Sequence, residues 1–207
     1  MFKSAFEQAS SSSIGMVVES QVPLEATGVA DFTVTPTEMS MSITSEALGQ
    51  GAIDLVLVDG VFYVRFPGTG GKFTATDLND PNNPLGKSFT DQLDPRAQFD
   101  LFEKGVTAAT FVGNEDLRGE SMDRFSISVD PKVFLQSLDP AARDQAKGLL
   151  PDELVYDLWF DDAGDFRQMV VDLGQIGGSV TATFDNWGDP VTIEAPPADQ
   201  IATTPPG

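Results

Sequence analysis

The chain has 207 residues, 41% of them hydrophobic, and contains neither cysteine nor histidine. Those two absences remove thiol nucleophiles, thiolate and imidazole metal ligands, and every catalytic arrangement built on a histidine base. Twelve Lys and Arg against 32 Asp and Glu give a formal charge of -20, which repels nucleic acid and anionic lipid headgroups alike, because both are bound through cationic neutralisation of phosphate.

The length fits one domain spanning residues 1-207, since curled sheets often run this long as a single unit. No stretch reaches the roughly 20 apolar residues of a membrane-spanning helix. Met1-Phe2-Lys3-Ser4-Ala5-Phe6 lacks the apolar stretch and cleavage site of a signal peptide.

Beyond residue 10 the apolar residues recur with period two, which places alternate side chains on one face of a strand. Ile14, Met16, Val18 and Val22 alternate with Gly15, Glu19 and Gln21. Met39, Met41 and Ile43 alternate with Ser40, Ser42 and Thr44, and Ile53, Leu55 and Leu57 follow with Asp54 on the other face. Asp59-Gly60 is a two-residue hairpin signal, because both residues tolerate positive φ. It leads into Val61 to Phe66, with Phe62, Val64 and Phe66 on one face.

Residues 77–86 are rich in Asp, Asn, Pro and Gly, which predicts a long loop. The period then changes. Pro95 with Phe99, Leu101, Phe102 and Val106 reads as a helix opened by proline, Pro131 with Val133, Phe134, Leu135 and Leu138 as a second, and Pro140 to Leu150 as a third.

Alternation returns in Phe125, Ile127 and Val129, and again in Leu154, Tyr156, Leu158 and Phe160. After a turn at 161–165 it continues in Met169, Val171 and Leu173, and after a second turn at 174–178 in Val180, Ala182 and Phe184. Asp54, Ser40, Ser42, Thr181 and Thr183 are expected to face solvent, opposite the apolar positions. Residues 195-207 are proline-rich and expected to form a flexible tail.

Periodicity alone fits an ordinary filled core. Many strands with one apolar face each, and few short helices to cover them, leave apolar surface that closes on itself or encloses a ligand. Met16, Met39 and Met41 bring flexible thioethers that suit acyl chains of variable shape and equally fill gaps in a core. The acidic residues Asp77, Asp80, Asp161, Asp162 and Asp165 read as solvated turns, because they lack the glutamate and spacing of a calcium loop. Asp157 near Glu153 is a weak general acid and base pair, since a chain with 32 carboxylates brings some together by chance.

The segments Tyr156-Asp157-Leu158-Trp159-Phe160-Asp161, Met169-Val170-Val171-Asp172-Leu173, and Val180-Thr181-Ala182-Thr183-Phe184 followed by Asn186-Trp187-Gly188-Asp189-Pro190-Val191-Thr192-Ile193 resemble the C-terminal part of the LppX and LprG type of actinobacterial lipoproteins. Gly51 to Leu57, Val61-Phe62-Tyr63-Val64, Pro84-Leu85-Gly86 and Gly119 keep that family's order upstream. The resemblance implies an α+β, mainly antiparallel fold similar to the LolA and LolB carriers: a strongly curved half-barrel sheet with short helices over its concave face around an apolar cavity.

It also implies a non-catalytic protein that binds and transports or presents acylated lipids or glycolipids, without a cofactor or metal, as a monomer. Its place would be the cell envelope, on the outer face of the cytoplasmic membrane. It would be held there by a lipidated cysteine upstream of this sequence, with residues 1-10 as the remnant of an N-terminal helix. Strand parity and helix face select Met39, Met41, Ile43, Ile53, Leu55, Leu57, Phe62, Val64, Phe99, Phe102, Phe134, Leu138, Tyr156 and Leu158 as cavity-facing. Two other readings stay open. One is an envelope protein-interaction module whose sheet is filled by its own side chains. The other is a carboxylate-using hydrolase with a polar cleft.

Overall fold

The computed structural model describes residues 11–20, 22–49, 51–68, 70–80, 102–137, 143, 151–173 and 178–202. Its frame is an open, curved sheet of 11 strands, every pairing antiparallel, in the order β6-β5-β4-β3-β2-β1-β11-β10-β9-β8-β7. The strands are β1 (Ser11–Glu19), β2 (Leu24–Asp31), β3 (Glu38–Thr44), β4 (Ala52–Val58), β5 (Val61–Arg65), β6 (Thr74–Asp77), β7 (Val106–Leu117), β8 (Glu120–Val129), β9 (Leu154–Phe160), β10 (Phe166–Asp172) and β11 (Ser179–Asp185). The curved, mainly antiparallel sheet with few short helices that the resemblance implies is therefore observed. Two meanders meet at the β1–β11 pair, so β6 and β7, consecutive in the chain, form opposite edges.

The turns follow their local chemistry. Asp59 and Gly60 adopt φ of 53° and 72°, the doubly positive geometry that matches the twist of a two-residue hairpin. Arg118 and Gly119 do the same between β7 and β8, at 58° and 88°. In the 161–165 turn the Asp161 carboxylate accepts from the backbone N–H of Ala163 and Asp165, at 3.0 and 2.9 Å, and from Arg167 at 3.1 Å. That carboxylate builds the turn, as expected of aspartate.

Helix α1 (Pro131–Ser137) forms where Pro131 opens a helical period. The helix expected from Pro95 reaches Gly105 and stops. Val106, assigned to it by spacing, instead begins β7. Residues 95–101 of that helix lie outside the described residues, as do 138–150 apart from Arg143. Val22 is 53% exposed beyond the end of β1, and Phe66 is 48% exposed beyond β5. Neither continues its strand's apolar face.

The tail differs from expectation as well. Gly188 N–H donates to the Ser11 carbonyl, and Ile193 packs against the cluster of Val56, Val58 and Phe73. Phe73 then pairs with Ile201, donating its N–H to the Gln200 carbonyl at 2.7 Å and accepting from Ala202 at 2.8 Å. Residues 191–202 thus form a strap over the outer face of the first meander. Proline content removes backbone donors but does not prevent docking of an extended segment onto apolar side chains. Residues 1–10 and 203–207 lie outside the described residues.

Candidate functional site: the apolar inner face

Directly paired residues in an antiparallel sheet point to the same face, so the register builds the site row by row. One row is Ile53, Ile43, Ala26, Met16, Ala182, Met169, Leu158, Phe125 and Phe111, taken from nine adjacent strands between β4 and β7. Beside it run Val64, Leu55, Met41, Gly28, Ile14 and Phe184, and then Phe62, Leu57, Met39, Ala30 and Ser12. On its other side run Leu24, Val18, Val180, Val171, Tyr156, Ile127 and Ala109. None of these positions carries a charge.

The inner face brings together Met39, Met41 and Ile43 of β3, Ile53, Leu55 and Leu57 of β4, and Phe62 and Val64 of β5 as mutual cross-strand neighbours. Tyr156 and Leu158 share that face across the β1–β11 junction, and the Phe102 ring meets Tyr156 edge-on with centroids 5.1 Å apart. Leu57 and Leu158 are buried, at 0% and 4% exposure, while the other residues of this set are half-buried. Phe99 and Leu138 lie outside the described residues, and Phe134 lies within α1.

Three features of the face escaped the sequence reading. The first is β2, which contributes Ala26, Gly28 and Ala30, small residues between the methionines of β3 and Ile14 and Met16 of β1. A Cβ at Gly28 would lie 2.2 Å from the Ser40 carbonyl oxygen and 2.8 Å from Met41 Cγ, so only glycine permits this approach. Ala26 and Ala30 are covered, at 1% and 0% exposure, so neighbouring side chains close over β2.

The second is an aromatic series in which Phe111, Phe125, Phe160, Phe166, Phe184 and Trp187 follow one another with centroids 4.9 to 6.0 Å apart. The Trp187 indole N–H is satisfied by the Phe166 carbonyl at 2.7 Å, as a half-buried indole requires. The third is Phe111 itself, on a strand that the pattern did not reveal. A period-two search fails on Ala and Gly, and β7 mixes both faces through two bulges.

Burial raises the Tyr156 phenol above its ordinary value of 10.0, the direction expected when a group whose charged form is an anion leaves water. The ring therefore presents a neutral, largely apolar surface.

On the outer face, charged side chains pair across the strands. Ser42 donates to Asp54 at 2.9 Å, and Asp54 also accepts from Arg65 at 2.8 Å. Arg124 pairs with Asp157 and Glu115 at 2.8 and 2.9 Å while its guanidinium lies 5.1 Å from the Trp159 ring. The hydrogen bond to Asp157, followed by that to Glu115, holds Arg124 above its ordinary pKa. Asp157 on β9 is thus held against Arg124, 2.8 Å away. The five residues expected to face solvent all lie on the outer face and are half-buried rather than bare. Among the described residues no group of three or more acidic side chains is placed to hold a metal ion, and no helix is long and apolar enough to cross a membrane.

No protein-family model matches the sequence, and no curated protein matches it. Solved structures do. The lipoprotein LppX of Mycobacterium tuberculosis superposes with a TM-score of 0.63 at 15% identity, covering 93% of this chain and 96% of that one. LprF of Mycobacterium bovis superposes with a TM-score of 0.59 at 19% identity, covering 93% of each chain. The likeness read from strand pattern and turn residues is thus present in three dimensions.

Proposed function

We propose that this chain, which has the fold of LppX and LprF, is a non-catalytic carrier that binds acylated lipids or glycolipids on the inner face of its sheet and transports or presents them in the cell envelope. One observation carries the reading. Rows of uncharged residues cross the sheet, up to nine strands in one row, and most residues chosen as cavity-facing are only half-buried. A filled core buries such side chains almost fully. Half-burial leaves area that an acyl chain can cover, at about 25 cal/mol per Å².

The methionines Met16, Met39 and Met41 on that face can adapt to the contour of an acyl chain. We further propose a monomer of one domain, held at the outer face of the cytoplasmic membrane by a lipid anchor attached ahead of this sequence. Mass spectrometry of an organic extract, from protein produced in its native host, tests the reading. Acylated lipid in near-stoichiometric amount is the expected result. Protein recovered free of lipid, with an inner face that takes up none when it is offered, would instead support the filled, partner-binding module.

A further inference from the structure

The two edges of the sheet are treated differently. Beside β6 the strap pairs with Phe73 and covers it. At the opposite edge β7 has no strand beside it among the described residues. Seven consecutive residues there, from Val106 to Val112, are exposed, with Val106 at 37%, Phe111 at 56% and Val112 at 48%. The run Val106 to Gly113 contains no charge, in a chain of formal charge -20. It also lacks the lysines and prolines that usually blunt such an edge.

An added strand from another protein is the first occupant to consider. Against it, the ladder of β7 is broken by shifts at Val106/Ala108 and at Phe111/Gly113, and bulges on an edge strand disrupt the regular row of donors and acceptors that an incoming strand needs. What the edge offers instead is apolar side chains. Phe111 is continuous with the inner face, its ring 5.2 Å from Phe125. Acidic surface elsewhere resists approach to a membrane, so an uncharged, apolar edge is where a bilayer meets least repulsion.

We infer that the β7 edge is a docking surface for the interfacial region of a phospholipid bilayer, with Phe111 and Val112 inserting, and that an acyl chain passes over Phe111 onto the inner face. The docking step stands on the edge itself. The route of the chain rests on the carrier reading above.

The two separate in one experiment. Protein is floated with phosphatidylcholine vesicles, uptake of a fluorescent phosphatidylcholine is followed beside it, and Phe111→Asp/Val112→Asp is compared with wild type and with Phe111→Leu. The double variant is expected to stay folded by circular dichroism at the assay temperature while its vesicle-bound fraction falls at least tenfold, with Phe111→Leu close to wild type. Replacing a third of the lipid with phosphatidylglycerol should lower wild-type binding, given the sign of its charge. Wild type that does not float, or a double variant that floats equally well, overturns the docking surface. So does a concentration-dependent dimer that the same substitutions abolish, since that assigns the edge to a second copy. Flotation without lipid uptake upholds docking and overturns the passage of the acyl chain over Phe111.

Discussion

Leu55 and Leu57 point to the same face two residues apart on β4, yet their surroundings differ. Leu57 is fully buried between Met39 and Phe62, while Leu55, between Met41 and Val64, is half-buried. Tryptophan at 57 must displace packed neighbours, which costs about 1–3 kcal/mol. At 55 the ring has accessible surface to cover, so Leu55→Trp should lower lipid bound per protein while costing under about 1 kcal/mol. Thermal melting of the delipidated variants beside their lipid content checks this, and equal loss of stability at both positions with lipid content unchanged would show a closed core. Tyr156 supplies a second test at this scale. Burial raises its folded pKa, so the unfolded chain releases this proton first. The associated stability is complete below the unfolded value of about 10 and is lost as pH rises through the higher folded value. Ultraviolet titration of wild type minus Tyr156→Phe should give a phenol midpoint above 10.0, and a midpoint at or below it would place the ring in water.

β4 shows how far a pattern reaches and where it stops. Its inner residues Ile53, Leu55 and Leu57 are legible from alternation, but Val56 and Val58 on the other face are buried too, at 8% and 6%. Their cover is Ile193 on the strap, far away in the chain, and no local period announces such a partner. β2 hid for a different reason, its inner side chains being too small to register as hydrophobic. β7 hid because an exposed edge has no buried face to keep in phase. Phe62, Val64, Tyr156 and Leu158 were legible as inner-face residues because large apolar side chains recur at every second position of their strands. The strap also carries a prediction. Ile193→Asp sets a carboxylate against Val56, Val58 and Phe73, which should cost about 1–3 kcal/mol. Hydrogen exchange localises the effect: the Phe73 amide, bonded to Gln200, should exchange faster, while β8 and β9 keep their protection. Protection unchanged at Phe73 would mean that the strap adds nothing to that edge.

Over the whole molecule, carboxylates outnumber cations 32 to 12. Arg65, Arg118, Arg124 and Arg167 are already engaged in cross-strand pairs on the outer face, with Arg118 and Arg167 sharing Asp185. The remaining field is repulsive, and compaction concentrates it. Two opposing responses to salt follow. Screening weakens the exposed Arg118 pair, but those of Arg65, Arg124 and Arg167 are short and partly buried, at 2.8 to 3.1 Å, so they lose little. The diffuse repulsion acts through solvent over longer distances and is screened far more, as the Debye length falls from about 30 Å at 0.01 M to about 8 Å at 0.15 M salt. Repulsion should dominate the difference. The melting temperature is therefore expected to rise by several degrees between those two salt concentrations, about 2–4 °C per kcal/mol for a chain of this size. The control is Arg124→Met, which removes a pair and leaves Asp157 without its cation; its melting temperature should lie below wild type at both salt concentrations and rise at least as steeply. A wild-type melting temperature that falls with added salt would show that the outer-face ion pairs, not the excess of carboxylates, govern the electrostatics of the fold.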